Sequence, residues 1–359
     1  MAFELKKFFQ DIFNPGEGEV VTVMHDVPHG EVRDNERWRE RRAMARDWHA
    51  RLVELAPEWG LEVTPIVTYR ATGSNNADLP DDCWVGEEPA RIADVLSRAT
   101  IVLAMTEFSA TAPLYGVARA SDRLRVGSMP GVARFMEESG LSADYRAIAA
   151  KCRVLVDIFD RAVAADVEFS TGHLCHFDLP GKADPDDGIL HPEKAGTEAC
   201  LSNLPAGEVY TVPNERPDSE TAGELPVPLG GETAVFVVEH NRIVDIQGEG
   251  ADVAALRDKM TRDPAWGNIA EFAIGLNDKA RVTGIVLEDE KAGFHWAYGR
   301  SDHLGGTVGV DAFTSPANVV HQDVVYAAGS PVVCRKLEMI FPDGSRQELI
   351  RDGVLLVDG

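Results

Sequence analysis

The stretch VVTVMHDVPHGEVRDNERWRERRAMARDWHARLVEL, residues 20–55, decides the fold of this chain. Its first five residues, 20–24, are apolar or β-branched and predict a short strand. Between Asn35 and Leu55 the apolar residues Ala45, Trp48 and Leu52 recur at helical spacing and predict an amphipathic helix. A strand that leads into such a helix is the beginning of a β-α-β arrangement.

The same alternation continues through the first half of the sequence. Strands are predicted at residues 63–69, 100–105 and 125–127, and helices at 88–97, 132–138 and 143–164. This rhythm predicts an α/β domain with a parallel sheet wound with helices. No Gly-rich phosphate loop follows any of these strands, so the sequence gives no support for nucleotide binding.

A change of composition predicts the domain boundary. Residues 180–188, PGKADPDDG, are rich in Gly, Pro and Asp, which is typical of a connection between domains. Beyond them the chain consists mainly of short β-type runs, with helices expected only at 252–261 and 268–276. We therefore predict an α/β domain at 1–182 and a strand-rich α+β domain at 183–359, which carries the metal site.

Composition limits the classes of partner. The chain has 359 residues, 35 basic and 59 acidic, and a formal net charge of -24. This excess of negative charge works against binding to nucleic acid or to an anionic membrane, while the same field concentrates cations. A small-molecule or peptide substrate is therefore expected, with no nucleic acid and no membrane as partner.

The pattern of cysteines and the length of the apolar stretches predict the cellular compartment. Five widely spaced cysteines include no CxxC pair, which favours reduced thiols over a zinc knuckle or a disulfide framework. No stretch is apolar and long enough for a signal peptide or a membrane span. We expect a cytoplasmic protein.

The segment NVVHQDVVY, residues 318–326, contains the sharpest candidate metal-binding pair. Its β-branched and apolar residues predict a strand. Positions i and i+2 of a strand share one face, so His321 and Asp323 could reach one ion together while Gln322 points away. Mixed carboxylate and imidazole ligands are typical of catalytic metal centres.

Two glutamates are further candidates. Glu271 lies among apolar residues in a segment predicted to be helical, and a buried carboxylate there would need a cation or a metal. An exposed helix face explains the same pattern, and periodicity alone does not separate the two interpretations. Glu208 lies in a turn before a short strand, where a solvent-exposed glutamate is the usual finding.

Glu290 and His295 lie on either side of Gly293, which permits a turn into the next strand. A histidine between Phe and Trp is more often a hydrogen-bonded core residue than a ligand. However, His303 and the pair Gly305-Gly306 follow closely and form a polar loop that allows the close approach of a substrate.

Five segments in sequence order resemble the C-terminal domain of the thermophilic metallo-aminopeptidases, the leucyl aminopeptidase family that includes aminopeptidases S and T. They are NLPAGEVYTVP, NIAEFAIGLN, DEKAGFHWAYG, the Gly-Gly loop and HQD. The resemblance implies a homodimer and a centre of one or two divalent ions, Zn, Co, Mn or Fe. The implied ligands are Glu208, Glu271, Glu290, His295, His321 and Asp323.

One departure from the family pattern concerns catalysis. The family has a catalytic tyrosine seven positions after the histidine of the third segment, where this chain has Asp302, followed by His303. The nearest tyrosine is Tyr298. We predict a hydrolase that cleaves a peptide or small amide, with Glu208 or Glu290 as general base and His303 or Tyr298 as donor to the developing oxyanion.

Two alternatives remain open. A branch of similar proteins, the 2,5-dihydroxypyridine dioxygenases, holds one non-haem iron on this scaffold, with a histidine in place of the second segment's glutamate. Retention of Glu271 and His295 favours the hydrolase, whereas the missing tyrosine favours the dioxygenase. The other alternative is a metal-binding protein without catalytic activity.

Overall fold

A computed structural model describes residues 3–315 and 318–357. Its α-helices are α1 (Leu5–Phe13), α2 (Glu36–Trp59), α3 (Ile92–Arg98), α4 (Thr111–Arg119), α5 (Tyr145–Phe159), α6 (Ala251–Arg262) and α7 (Val286–Asp289). Its strands are β1 (Val20–Val27), β2 (Glu62–Val63), β3 (Val67–Arg70), β4 (Asp82–Val85), β5 (Glu88–Arg91), β6 (Ile101–Ala104), β7 (Arg125–Ser128), β8 (Ala164–Phe169), β9 (Leu174–Asp178), β10 (Asp184–Asp186), β11 (Leu201–Asn203), β12 (Glu208–Thr211), β13 (Ala222–Leu229), β14 (Glu232–Glu239), β15 (Arg242–Gln247), β16 (Ile269–Gly275), β17 (Phe294–Gly299), β18 (His321–Val325), β19 (Cys334–Ile340), β20 (Arg346–Arg351) and β21 (Val354–Leu355).

The chain forms two compact units that interleave along the sequence. The first unit contains the residues up to 149 together with 186–206 and 278–280, and the second contains 150–185, 207–277 and the residues from 281 onward. The single boundary between residues 182 and 183 stays a prediction. The mixed α/β class predicted from the sequence is confirmed.

The first unit is built on a wound, mainly parallel sheet. Its strand order is β11-β7-β6-β1-β3-β4-β5, with β2 paired to β1. The strands from β11 to β3 are parallel, and β4 and β5 are added antiparallel at one edge. This is the doubly wound arrangement that the alternation of strands and helices predicts.

Helix α2 buries the stripe that its sequence predicts. Trp48, Ala45 and Leu52 are at most 1% exposed. The side chain of Asn35 caps the N-terminus by accepting a hydrogen bond from the Trp38 backbone N–H at 2.9 Å. Gly60 ends the helix in the left-handed conformation, which glycine adopts without steric cost.

Three predicted helices of the first half differ from the structure. Residues 88–91 form strand β5, and the helix begins only at Ile92. The segment predicted as a helix at 132–138 is a short 3₁₀ turn at Arg134–Glu138. The long helix predicted at 143–164 ends at Phe159, and strand β8 begins at Ala164. The first and third of these differences are at element ends, where local sequence patterns carry the least information.

The second unit contains two antiparallel sheets. One has five strands in the order β10-β12-β16-β17-β18, and the other has eight in the order β15-β14-β13-β9-β8-β19-β20-β21. Aromatic side chains fill the space between them. Phe272 of β16 lies 5.0 Å from Phe177 of β9, and Trp296 of β17 lies 6.2 Å from Phe236 of β14, measured between ring centroids.

The helix predicted at 268–276 is wrong, because this segment is strand β16. All seven residues of β16 are buried, so the apolar pattern does not alternate as it does in a half-exposed strand. A short, wholly apolar run cannot be assigned to a helix or a strand by periodicity alone. The helix predicted at 252–261 is confirmed as α6.

The cysteines and the lengths of the helices can be compared with the sequence predictions. All five cysteines are buried free thiols, as the sequence predicts. Among the described residues, every helix is too short or too polar to cross a bilayer.

Candidate metal centre

One face of the five-stranded sheet gathers four of the predicted ligands. In the register of β16, β17 and β18, Glu271 lies opposite Ala297, and Ala297 lies opposite Asp323. His321 lies two residues before Asp323, and His295 two residues before Ala297. Because paired positions and alternate residues share a face, these four side chains point to the same side of the sheet.

Gly275 leaves room for the two remaining ligands, Glu208 and Glu290. Gly275 lies opposite Glu208 in the register of β12 and β16, which places Glu208 on the same face. A Cβ at Gly275 would lie 2.2 Å from the carbonyl oxygen of Glu290 and 2.7 Å from that of Lys291. Only glycine therefore permits the turn that carries Glu290 to pack directly on the sheet.

The ligand atoms lie close together in two groups. Nε2 of His295 lies 3.3 Å from Oε2 of Glu208 and 3.8 Å from Oε1 of Glu271. Nε2 of His321 lies 3.0 Å from Oε2 of Glu271 and 3.5 Å from Oδ1 of Asp323. Within each group, one ligand atom per residue lies within 4.8 Å of the others. Glu271 belongs to both groups.

Lys291 is a member of this cluster that the sequence analysis missed. Its ammonium group is fully buried and lies 2.5 Å from Oε1 of Glu208 and 2.7 Å from Oε1 of Glu290. A lysine next to a glutamate in a turn is ordinarily exposed, so no local pattern distinguishes it. Here the buried positive charge compensates two buried carboxylates.

The close packing of charges shifts the pKa values of the acidic groups in opposite directions. Burial alone would raise the pKa of Glu208, but the Lys291 ammonium and the His295 imidazole outweigh it and lower this pKa. For Glu290, burial dominates and raises the pKa, despite the opposing effect of Lys291. The two glutamates that contact Lys291 therefore differ in pKa, with that of Glu208 below and that of Glu290 above the ordinary value.

The two imidazoles are shifted in the same direction. Burial would lower the pKa of His295, but the carboxylates of Glu208, Glu271 and Asp323 raise it to about 9. The pKa of His321 is likewise raised, against the effect of burial, by Asp323 and Glu271. Excess negative charge at this centre therefore favours any cation that enters it.

The structure brings one of the other predicted catalytic residues to this cluster. The ring of His303 lies edge-on to that of His321, with centroids 4.8 Å apart and planes at 83°. Asp302 is partly exposed and forms an ion pair with Arg300, with Nε of Arg300 2.5 Å from its Oδ1. The residue at the position of the family tyrosine therefore has a cationic partner of its own.

Tyr298 lies on the opposite face of the sheet. It is three residues after His295, and an odd spacing along a strand reverses the direction of the side chain. Its ring lies 6.1 Å from Phe236 and 6.2 Å from Trp266, within the aromatic packing. Burial raises its pKa to about 12. The structure therefore does not group Tyr298 with the candidate ligands.

Glu215 is a second residue that the sequence analysis missed. One of its carboxylate oxygens accepts hydrogen bonds from Ser301 Oγ at 2.5 Å and Asn268 Nδ2 at 2.7 Å. The other accepts from the backbone and hydroxyl groups of Thr307. Glu215 thus links Ser301 and Thr307, on either side of His303 in the loop, to Asn268, the residue before β16. No sequence motif marks this long-range contact.

The residues present suit a divalent cation. The cluster offers carboxylate oxygens and imidazole nitrogens, which are ligands for Zn, Mn, Co or Fe. Within the register, Ala297 stands between Glu271 and Asp323, so its methyl group leaves space where a larger side chain would fill it. Glu208 and Glu271 are buried and Glu290 and Asp323 are partly buried, so these carboxylates leave negative charge beyond that of Lys291 for a cation to compensate.

Comparison with known proteins shows the fold. No protein-family model matches the sequence, and no curated protein matches it. Among solved structures, 2,5-dihydroxypyridine dioxygenase from Pseudomonas putida KT2440 is similar, with a TM-score of 0.64 and 16% sequence identity over 98% of this chain and 97% of that chain. Wild-type AmpT from Thermus thermophilus is similar with a TM-score of 0.58 and 18% identity over 98% of each chain. At such identities the likeness establishes a distantly shared fold.

Proposed function

We propose that this protein is a metal-dependent hydrolase of aminopeptidase type that cleaves a peptide or small amide. One observation carries the proposal: two groups of ligand atoms, Glu208–Glu271–His295 and Glu271–His321–Asp323, meet at a shared carboxylate. Each group has one imidazole and two carboxylates. A carboxylate shared by two ligand groups can hold two ions close together, as a two-metal hydrolytic centre needs.

Within this proposal, one or two divalent ions, Zn, Co, Mn or Fe, are held by the members of the two groups, Glu208, Glu271, His295, His321 and Asp323. Such ions, when bound, lower the pKa of water and polarise the scissile carbonyl group. The protein contributes fixed negative charge on one sheet face, with the imidazoles held by strand register. The His321 ring is oriented further by the Arg300 carbonyl oxygen, which lies 2.8 Å from its Nδ1.

Glu290 is the residue that we assign as general base. It lies at the edge of the ligand cluster and is held by the Lys291 ammonium at 2.7 Å. Glu208 also contacts Lys291, but in addition it contacts His295 and belongs to a ligand group. Glu290 belongs to neither group, which leaves its carboxylate available to accept a proton.

His303 is the residue that we assign as donor to the developing oxyanion. Its ring contacts His321 and is 38% exposed at the side chain, so it combines access to a substrate with proximity to the centre. Tyr298 lies on the other sheet face and Asp302 is engaged by Arg300. His303 therefore takes the role that the family gives to a tyrosine at position 302.

The cellular setting follows from the same proposal. We expect a homodimer, as the resemblance implies, a cytoplasmic location, as the cysteine pattern indicates, and a substrate that is a peptide or another small molecule. Gel filtration with light scattering checks the dimer.

A second candidate function rests on a different grouping of the same residues. His295 and His321 both lie within 4 Å of the Glu271 carboxylate. Two imidazoles and one carboxylate form the ligand set of non-haem Fe(II) oxygenases, although the dioxygenase branch has a histidine where this chain has Glu271. Together with the absence of a tyrosine at position 302, this supports a mononuclear ring-cleaving dioxygenase as the alternative.

One experiment separates the two. The protein, purified without oxygen and dialysed against Zn, Co, Mn or Fe(II), is analysed for metal per chain, then given aminoacyl anilides or 2,5-dihydroxypyridine with oxygen. Two ions per chain and release of the amine support the hydrolase. One iron per chain with oxygen uptake on the pyridine supports the dioxygenase, and absence of product from both panels contradicts both. If Glu290→Gln and His303→Ala retain full turnover, the residue roles assigned above are wrong.

A further inference from the structure

A second concave site lies in the same unit, on residues that do not belong to the metal centre. It is a cavity of 460 Å³ between strand β15, helix α6 and the loop that joins β17 to β18. Small-molecule sites in proteins commonly have volumes of roughly 300 to 1,000 Å³. Its lining includes none of the six candidate ligands.

The cavity wall is largely apolar. Ile243, Met260, Ala265 and Val308 contribute aliphatic or thioether surface, and Ala312 lies at its exposed rim. Ala265 and Val308 belong to a small hydrophobic cluster centred on Phe313. An apolar concave wall of this kind favours a ligand that carries a hydrocarbon body.

Arg242 is the charged residue of the cavity lining. It is exposed, and its guanidinium group donates one long hydrogen bond, 3.5 Å, to the Pro264 carbonyl oxygen. No carboxylate among the described residues forms an ion pair with it. The neighbouring acid, Asp263, instead accepts hydrogen bonds from the backbone and hydroxyl groups of Thr314, at 3.0 and 2.7 Å.

Arg242 places a positive charge at a cavity of a chain that has 59 acidic and 35 basic residues. A guanidinium group without a carboxylate partner presents a planar set of donors that fits a carboxylate in bidentate fashion. The adjacent apolar wall supplies contact for the rest of such a ligand. The carboxylate of one small molecule and its hydrocarbon part would therefore both be complementary to the lining of this cavity.

We propose that this cavity binds a small amphipathic carboxylate, that is, an aliphatic or aromatic acid. Its carboxylate pairs with Arg242, and its hydrocarbon part packs against Ile243, Met260 and Val308. The site goes beyond the proposed hydrolase function, because it uses none of the metal ligands and does not require a bound ion.

The test is isothermal titration calorimetry of the full-length protein with octanoate, and with 1-octanol as an uncharged probe of equal chain length. We expect saturable binding of octanoate and at least about tenfold weaker binding of octanol, since a charge-assisted hydrogen bond is lost. Arg242→Gln should weaken octanoate binding to the same extent. Ala312→Trp, which fills the rim, should abolish it.

Arg262→Gln is the matched control. Arg262 lies in the last turn of α6, donates to the Asp258 carbonyl oxygen of its own helix at 3.1 Å, and does not line the cavity. Its loss should leave octanoate affinity within about twofold, because an exposed charge nearby contributes little. Circular dichroism verifies that each variant is folded.

Three results would overturn the proposal: absence of saturable octanoate binding, octanol bound as tightly as octanoate, or equal effects of Arg242→Gln and Arg262→Gln. Octanoate binding that disappears on treatment with EDTA would also overturn it, because it would place the acid at the metal centre. Unchanged binding in EDTA separates this site from the proposed catalytic one.

Discussion

Glu271 contacts both candidate imidazoles at once, with one carboxylate oxygen 3.0 Å from Nε2 of His321 and the other 3.8 Å from Nε2 of His295. Four strands carry the ligands, and Glu271 lies on β16, between β12 with Glu208 on one side and β17 and β18 with His295, His321 and Asp323 on the other. Loss of this side chain therefore affects both halves of the cluster.

We expect Glu271→Gln to lower the bound metal more than Asp323→Asn does. The first change removes a charged ligand from both groups, and the second removes one from a single group. Both keep the size of the side chain. Inductively coupled plasma mass spectrometry after dialysis measures the number of metal ions per chain in each variant. Equal metal content in the two variants would show that Glu271 is not shared.

Ala297→Leu should prevent metal binding without removing any ligand. Ala297 lies between Glu271 and Asp323 in the strand register, and a leucine there fills the space beside their carboxylates. Ala297→Ser, which is nearly the same size, is the control and should bind metal as the wild type does. Isothermal titration calorimetry with Zn or Mn measures the metal affinity of both variants. A leucine variant with wild-type affinity would place the ion elsewhere.

His303→Ala should lower kcat by about 10²-fold while metal content stays unchanged, since the loss of one oxyanion donor has an effect of this order. The change is tested on whichever amide substrate the wild type hydrolyses. His173→Ala, in the turn between β8 and β9, is a control that removes an imidazole outside the cluster. If His303→Ala loses metal along with activity, His303 is a ligand rather than a donor.

Phe272→Ala should lower the free energy of unfolding by about 3 to 5 kcal/mol, the usual cost of removing a buried phenylalanine. Phe272 is fully buried, and its ring lies 5.0 to 5.7 Å from those of Phe177, Phe294 and Phe159. Urea unfolding measures the change. Phe135→Ala, at a position that is 44% exposed, should cost under about 1 kcal/mol and serves as the control. Similar costs would contradict the packing described for the two sheets.

His25 should make the stability of the protein fall as the pH is lowered from 7 to 5. Burial lowers its pKa from 6.5 to about 4, so the unfolded chain binds a proton that the folded chain does not. The stabilisation is present above pH 6.5 and is lost as the pH falls toward 4. We expect the wild type to lose about 2 kcal/mol more than His25→Asn over this range. Parallel urea curves at both pH values would contradict this.

Much of the cluster of candidate ligands could be predicted from the sequence, because these residues lie in short segments whose order and residue types are informative. His321 and Asp323 follow from strand periodicity alone. Glu271 shows the limit of such reasoning: a helix was predicted, and the segment is a strand buried on both faces. Lys291 and Glu215 could not be found, since their roles depend on contacts with residues 83 and 86 positions away.

In the first unit, the helix α2 and the strand β1 were predicted correctly because their apolar stripes are long and regular. The strand β5 was missed because it pairs only with β4 at the sheet edge and is largely exposed. Its extended conformation is set by that neighbour rather than by its own sequence, which reads Glu-Pro-Ala-Arg.

The alternation of side chains along β17 limits insertions and deletions in this strand. His295 and Ala297 belong to the ligand face, whereas Trp296 and Tyr298 belong to the aromatic face. Deletion of a single residue within the strand would exchange the two sets, turning indole toward the candidate ligands and imidazole into the hydrocarbon interior. Substitutions can accumulate here one at a time, but insertions and deletions are excluded, so the spacing of this strand should be the most persistent trait of its descendants.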